Sequence, residues 1–445
     1  MLTFSAEVAV VGLGRSGLAA ARLLRSWGTA VYASDGGTGG SIELAAAELV
    51  GLGASCQVGG HDLDRIGRAE LVVISPGVPP TAPVLVRAAA AGVPVWAEVE
   101  LGLRALGGSL PYIAVTGTNG KTTTTALVEH LLLAAGRQAR AVGNIGTPLT
   151  EIALDEIKPE VLAIELSSFQ LHDMPTVAPT VGLLTNLAPD HLDRYANLTD
   201  YYGDKARLFA NATARSVWVS NADDPESERW ISGVAGRRLT FSLERRADGW
   251  YDRSAKALML GASVMLDRAE FPLLGDHNVA NALAASLAAG AVDVSMAALA
   301  EGLRTVQPLK HRMEPLREVQ GVLWINDSKA TNVSSTEVAV KSMDRQFVLL
   351  LGGRHKGEPY TRLGPLLGRC RAVIAYGEAG PQVVADLADL VRVIPATGFD
   401  QVVRTASSLV TRGDAVLLSP ACSSYDMFTN YEERGNRFRE IVEAM

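Results

Sequence analysis

Short apolar runs recur along this chain. Each ends in a cluster of glycine or small polar residues, and most are followed by a segment of helical period. Glu7 to Val11, Thr29 to Ala33, Leu71 to Ile74 and Val93 to Trp96 read as buried strands, with a helix from Leu18 to Trp27 after the first. Near-continuous apolar runs suit strands covered on both faces, as in a parallel sheet. The alternation resumes with strands at Ile113 to Val115, Gln138 to Val142, Val161 to Ile164 and Thr180 to Leu184, and helices over Ala126 to Leu133 and Tyr201 to Asn211. From about Trp218 to Asp276 the segments are short and turn-bounded, such as Leu258 to Leu260 and Ser263 to Leu266, which predicts antiparallel hairpins added to the second sheet. An Ala-rich helix then runs to Ala291. After a junction at Gln307 to Met313 come four more strands: Val322 to Ile325, Phe347 to Leu351, Val373 to Tyr376 and Ala415 to Leu418. Strand and helix in alternation predict the α/β class, in three domains at 1–106, 107–307 and 308–445.

The most informative stretch opens the second domain. Ile113 to Val115 leads through Thr116-Gly-Thr-Asn-Gly120 into Lys121 and Thr122, which begin a helix. Glycines let backbone N–H groups close on phosphate oxygens, and a helix N-terminus adds partial positive charge. Lys121 would neutralise terminal phosphates, and the Thr122 hydroxyl would reach a bound Mg²⁺. The usual loop carries Gly where this chain has Val115, so the loop is a shortened variant.

An earlier turn, Gly12-Leu-Gly-Arg-Ser-Gly17, has the G-x-G-x-x-G form, and Asp35 stands near the place of a ribose-binding acid. Alone, this suggests a doubly wound dinucleotide domain and an NAD(P)-dependent oxidoreductase. Any diphosphate could occupy such a turn, and the glycines could serve only close helix–strand packing. The oxidoreductase reading also leaves Gly120-Lys-Thr122 unexplained.

Composition removes other classes. The net charge of −7 and the absence of a long basic run argue against a nucleic-acid partner, so anions must be held by local donors. Three scattered cysteines, Cys56, Cys370 and Cys422, fit reduced thiols rather than a disulfide framework or metal spacing. The N-terminus runs into a strand without a leader pattern, and no apolar stretch has transmembrane length, so a cytoplasmic protein without membrane contact is expected. A monomer is expected too, since no exposed apolar stripe is evident.

Open α/β sheets build sites at the carboxyl ends of their strands. In the second domain this gathers Asn144, Glu165, Ser167, Asn186, Asp190 and His191 around the phosphate loop. Glu165 suits a hard cation. Asn278 and Asn281 share the first turn of a helix, where they either read a base edge or cap. In the third domain Asp327, Lys329, Thr331, Lys356, Ser423 and Ser424 follow strands, and cations with hydroxyls suit a carboxylate or phosphate.

Six elements occur in order: Thr116-Gly-Thr-Asn-Gly-Lys-Thr122, Glu165-Leu-Ser-Ser-Phe-Gln170, Asp190-His-Leu-Asp-Arg194, His277-Asn-Val-Ala-Asn281, Asn326-Asp-Ser-Lys-Ala-Thr-Asn332 and Ser419-Pro-Ala-Cys-Ser-Ser424. Together they resemble the Mur ligases of peptidoglycan synthesis, and the second, fifth and sixth look like the branch that adds D-glutamate. The likeness spans nearly the whole chain. It implies a Rossmann-like N-terminal domain for the UDP-substrate, a central P-loop ATPase-type domain, and a Rossmann-like C-terminal domain that closes over the site. It implies ATP-dependent joining of D-glutamate to UDP-N-acetylmuramoyl-L-alanine through an acyl phosphate. Nearby alternatives are another Mur-type or folylpolyglutamate-type amide ligase.

The resemblance also implies residue roles. Gly14, Arg15, Ser16, Gly17, Asp35, Asn144, Ser167 and His191 would meet the UDP-substrate. In the family a Thr-Arg pair often follows the acid at Asp35; here Gly36-Gly37 stands there, and Arg15 is the substitute at hand. Gly117, Thr118, Asn119, Gly120, Lys121, Thr122 and Thr123 would hold the ATP phosphates, and Asn278, Asn281, Arg312 and Asp327 the nucleoside. Two Mg²⁺ sites are implied, one on Thr122 and Glu165, the other on His191 and a carbamylated Lys205. Lys329 would sit near the transferring phosphate, giving catalytic roles to Lys121, His191, Lys205 and Lys329. Thr331, Lys356, Ser424 and Tyr431 would receive D-glutamate.

Overall fold

The computed structural model describes residues 2–79, 81–108, 110–190 and 194–445. His191 lies outside the described residues. Three sheets carry the fold. The first is fully parallel, with strands in the order Ser55–Val58, Val31–Asp35, Val8–Val11, Leu71–Ile74 and Val95–Ala97. The switch in strand order falls beside Val8–Val11, so the carboxyl ends of that strand and its neighbours open a crevice. Val8, Val10 and Leu71 are buried among helix residues Ala20, Leu23 and Leu24, which explains their uninterrupted apolar run.

The second sheet has nine strands. At its heart Tyr112–Thr116 lies between Val161–Glu165 and Val181–Leu184, all parallel. The antiparallel expectation for Trp218 to Asp276 holds only in part. Val217–Asn221 pairs in parallel with Val181–Leu184 on one side and with Arg237–Ser242 on the other, and Gly249–Asp252 continues that direction. Helix Pro225–Ile231 crosses between the first two, capped by Asp224. Only Ala257–Leu260 and Ser263–Asp267 form the antiparallel edge.

The third sheet has six strands in the order Glu314–Val319, Val322–Asn326, Ala415–Leu418, Phe347–Gly352, Cys370–Tyr376 and Val393–Pro395. Only the first pairing, at the sheet edge, is antiparallel.

Clustering of contacts divides the chain into two compact units: Met1–Glu270 with Ala280–Arg304, and Phe271–Val279 with Thr305–Met445. The first two sheets thus belong to one unit. Within it, Glu98 joins them: its Oε1 accepts from Thr150 N and Oγ1, each at 2.6 Å, and burial pushes this carboxyl up to about 7. Among the described residues no helix is long and apolar enough to cross a membrane.

Candidate active site

The turn after Tyr112–Thr116 is shaped by two glycines with positive φ, Gly117 at 141° and Gly120 at 81°. A Cβ on Gly117 would overlap Thr185 Oγ1, and one on Gly120 would press on the Asn281 side chain. The turn is clamped from the neighbouring strand end. Thr118 N donates to Asn186 O at 2.8 Å, Asn119 N to Asn186 Oδ1 at 3.0 Å, and Thr185 Oγ1 to Asn119 O at 2.7 Å. Gly120 caps helix Lys121–Ala134 without a side-chain bond, and the start of that helix carries the partial positive charge that favours an anion.

Two lysines converge on this turn. Lys121 Nζ donates to Gly117 O at 3.0 Å and Thr118 O at 2.8 Å. Lys205 Nζ donates to the same Gly117 O at 2.7 Å. Lys205 is 2% exposed. Burial first, and then the charge of Lys121, hold its pKa well below the ordinary lysine value. A surface residue would have been the ordinary expectation for this position; helix Leu198–Ala206 instead turns it inward beside the Tyr201 ring, 4.6 Å from the amine.

Glu165 ends the adjoining strand, also 2% exposed. Its Oε1 accepts from Asn144 Nδ2 at 2.8 Å, whereas its buried Oε2 has no hydrogen-bond partner among the described residues. A buried carboxylate oxygen left without a donor is costly, and a hard cation at that oxygen would remove the cost. Among the described residues no three His, Cys, Asp or Glu side chains form a metal cluster. Ser167 is engaged in a capping box with Gln170 at the start of Ser168–His172. The structure thus brings Lys121, Lys205, Glu165, Asn144, Asn186 and Asn281 around one turn. Thr185, which clamps it, went unnoticed in the sequence because a threonine at a strand end carries no distinctive signal.

The first glycine turn is built differently. Gly12 has φ 89°, and a Cβ on Gly17 would overlap the Gly12 carbonyl oxygen. Asp35 is occupied on both oxygens: Oδ2 accepts from Leu13 N and Oδ1 from Gly37 N, each at 2.7 Å. A cavity of about 520 Å³ lies over the turn, lined by Gly14, Arg15, Ser16, Asp35, Gly36 and His61, with Ser75 and Pro76 from the next strand end.

In the second unit the strand ends gather a polar set of their own. Asp327 is buried, with Oδ1 accepting from Met313 N at 3.1 Å and Oδ2 from Ser419 Oγ at 2.8 Å; burial pushes it up to about 7. Lys329 Nζ stands 3.8 Å from the centre of the Tyr431 ring. Ser424 is buried, Thr331 and Arg312 are half-buried, and Lys356 is exposed on the loop after Phe347–Gly352. Asn278 and Asn281 part company despite their shared helix face. Asn278 Nδ2 donates to Leu274 O at 2.8 Å, whereas Asn281 Oδ1 accepts from Thr124 Oγ1 at 3.2 Å. Arg434, fully buried, ties the Asp327 and Ser419 loops together by donating to Ser328 O at 2.8 Å and Cys422 O at 3.1 Å. Nothing in a charged terminal helix marks that arginine in advance.

A phosphate turn with one buried and one half-buried lysine thus stands in the same unit as a nucleotide-sized cavity on a second glycine turn. The chain belongs to the Mur ligases: residues 6–97 match the MurD-like N-terminal domain, 115–289 the Mur ligase middle domain, and 311–422 the Mur ligase glutamate ligase domain. Two relatives matched along nearly their whole length carry one name. The chain is 42% identical to UDP-N-acetylmuramoylalanine--D-glutamate ligase of Anaeromyxobacter dehalogenans, over 98% of this chain and 97% of that protein. The protein of the same name from Acidobacterium capsulatum is 38% identical, over 98% and 96%. Among solved structures, UDP-N-acetylmuramate-alanine ligase MurC of Thermotoga maritima shares the fold, with a TM-score of 0.63, 20% identity and coverage of 98% of this chain and 99% of that one.

Proposed function

We propose that this protein joins D-glutamate to UDP-N-acetylmuramoyl-L-alanine with hydrolysis of ATP to ADP and phosphate. The observation that carries the reading is the convergence of Lys121, Lys205 and the half-satisfied Glu165 on one glycine turn, in a chain 42% identical along its length to a ligase of that name. It takes 1–106 as the domain for the UDP-substrate, 107–307 for ATP and 308–445 for D-glutamate.

A carboxylate does not accept an amine directly, because oxide is too poor a leaving group. Transfer of the γ-phosphoryl group to the carboxylate of the UDP-substrate releases ADP and turns that oxygen into part of an acyl phosphate. The D-glutamate amine then adds to the carbonyl carbon, and the tetrahedral adduct collapses with loss of phosphate and a proton to give the amide. Phosphoryl transfer is governed by positioning and charge neutralisation. In this reading the amides of Gly117 to Gly120 and the start of the helix cradle the β- and γ-phosphates. Lys121 leaves its two carbonyl acceptors to meet them. Thr122 and Glu165 would hold one Mg²⁺, and His191 with a carbamylated Lys205 would hold a second. When bound, Mg²⁺ supplies positive charge to the phosphoryl oxygens.

The depressed pKa of Lys205 supports the modification. An amine that sheds its proton can add to CO₂, giving an N-carboxylate and releasing a proton, and an anion there would offset Lys121 where an ammonium opposes it. Gly14 to Gly17 and Asn144 seat the diphosphate and sugar, with Asp35 at the uridine side and Ser167 and His191 toward the reacting end. Asn278, Asn281, Arg312 and Asp327 are assigned to the nucleoside, Lys329 to the transferring phosphate, and Thr331, Lys356, Ser424 and Tyr431 to D-glutamate.

Phosphate release measured across a panel of amino acids tests the reading. Release that requires ATP, UDP-N-acetylmuramoyl-L-alanine and D-glutamate together is expected. Release with another amino acid in its place would move the chain to a different ligase activity.

A further inference from the structure

Resting on the assignment of Lys356 and Ser424 to D-glutamate, we propose that Tyr360 is a positioning residue of the amino-acid site: its hydroxyl bridges His355 and Cys422, and so fixes the loop that carries Lys356 against the loop that carries Ser424. The two loops follow Phe347–Gly352 and Ala415–Leu418, neighbouring parallel strands of the third sheet. Lys356 is exposed and its side chain has many rotamers, so its aim at a carboxylate depends on how its backbone is held.

The loop is fastened at both ends. Gly353 has φ 131°, and a Cβ there would overlap the Ser423 carbonyl oxygen. Next to it Arg354 N donates to Ser423 O at 2.8 Å. At the far end Tyr360 N donates to Asp386 Oδ2 at 2.7 Å, where the 3₁₀ helix Tyr360–Arg369 begins. The Tyr360 side chain then draws the middle of the loop inward. Its Oη lies 2.9 Å from His355 Nδ1 and 2.9 Å from Cys422 Sγ. Tyr360 is 1% exposed and Cys422 is fully buried. Cys422 is itself held, since its carbonyl accepts from the Arg434 guanidinium.

A phenol hydroxyl donates once and can accept at the same oxygen. If Cys422 Sγ–H donates to Tyr360, Oη–H donates to His355 Nδ1. If Nδ1–H donates to Tyr360, Oη–H donates to Sγ. The bridge closes in either tautomer of the imidazole. Burial pushes the phenol above its ordinary value and the Cys422 thiol up to about 11, so both keep the protons that the bridge uses. The charges of Arg434 and Lys356 pull against that rise at the thiol, which puts the Lys356 ammonium within electrostatic reach of the loop that carries Ser424.

The test is steady-state phosphate release by the full chain, with ATP and UDP-N-acetylmuramoyl-L-alanine saturating and D-glutamate varied. Tyr360→Phe removes one oxygen and keeps the ring. It is expected to raise KM for D-glutamate about five- to tenfold, as loss of one hydrogen bond implies, and to leave kcat and the KM values for the other two substrates near wild type. His355→Ala should do the same from the exposed end of the bridge. His355→Asn, whose amide can stand where Nδ1 stood, should recover most of the loss. Because Tyr360 acts through Lys356, the double variant Lys356→Ala with Tyr360→Phe should bind D-glutamate no worse than Lys356→Ala alone. A folded Tyr360→Phe with the wild-type KM for D-glutamate overturns the role of Tyr360 and leaves the ligase reading standing. A rise shared equally by all three substrates, or full additivity with Lys356→Ala, overturns it as well. A wild type that releases phosphate without regard to D-glutamate overturns the assignment of the site, and the role of Tyr360 with it.

Discussion

Two glycine turns join a buried strand to a helix in this chain, and their polar groups are settled in opposite ways. In the first, Asp35 spends both oxygens on the amides of Leu13 and Gly37, so the turn is internally satisfied and offers a helix N-terminus under a cavity. In the central turn, two lysine amines share the Gly117 carbonyl, one of them buried with its pKa driven down, and Glu165 keeps an oxygen with no donor among the described residues. A turn whose groups are paired can bind an anion and little more. A turn that gathers a buried amine and a buried carboxylate with an open oxygen is stabilised by what arrives, and charge moving during a reaction can be met there. The distinction is one of accounting: a carboxylate at a strand end marks a reactive site only when the fold leaves it unfinished.

The contrast can be broken most directly at Lys121. Lys121→Ala should reduce ATP-dependent phosphate release with both substrates present by about 10³-fold or more, as loss of a phosphate clamp does. Near-normal turnover would remove the central turn from the chemistry.

Glu165→Gln comes next. An amide cannot give a cation the same charge, so the Mg²⁺ concentration for half-maximal activity should rise about 10- to 100-fold. Folding should be little changed, which thermal unfolding would show. An unchanged Mg²⁺ titration would make Glu165 a structural acid like Asp35.

The first turn is sharpened by Gly17→Ala. The added methyl overlaps the Gly12 carbonyl, so it should cost about 1–3 kcal/mol in denaturant unfolding. It should raise KM for the UDP-substrate while ADP affinity stays at the wild-type level. A matching loss of ADP affinity would mean that the two turns are not independent.

The smallest effect is expected at Asp327, a buried carboxylate satisfied like Asp35. Its folded pKa, raised to about 7, lies above the unfolded value of about 3.9, so the folded state keeps a proton that the unfolded state has lost. Its contribution to stability is therefore present at low pH and is lost as pH rises from about 4 to about 7. Asp327→Asn should remove that slope, and above pH 7 its melting temperature should exceed the wild type by about 2–4 °C for each kcal/mol recovered. A difference between the two proteins that does not change with pH would show the carboxyl to be ionised throughout.

The strands were legible where burial on both faces writes a continuous apolar run, as in Val8 to Val11 and Val161 to Ile164. The phosphate turn was legible because Gly120-Lys-Thr122 between a strand and a helix is a local pattern with a local cause. The direction of Val217–Asn221 and Arg237–Ser242 was not, because a short apolar run reads the same whether its partner lies beside it in sequence or across a helix. Lys205 and Arg434 were opaque on bottom-up grounds for a related reason. Each is an ordinary polar residue whose importance comes from what packs around it, and only resemblance singled out the first.

The sequence by itself therefore determined the order of strands and helices, the two glycine turns and the family, since these depend on residues near one another or on motifs in fixed order. The tertiary structure alone decided which charges are buried and which carboxylate oxygens are already taken. Those depend on desolvation and on donors brought from distant strand ends, and neither is a property of any stretch of chain read in isolation.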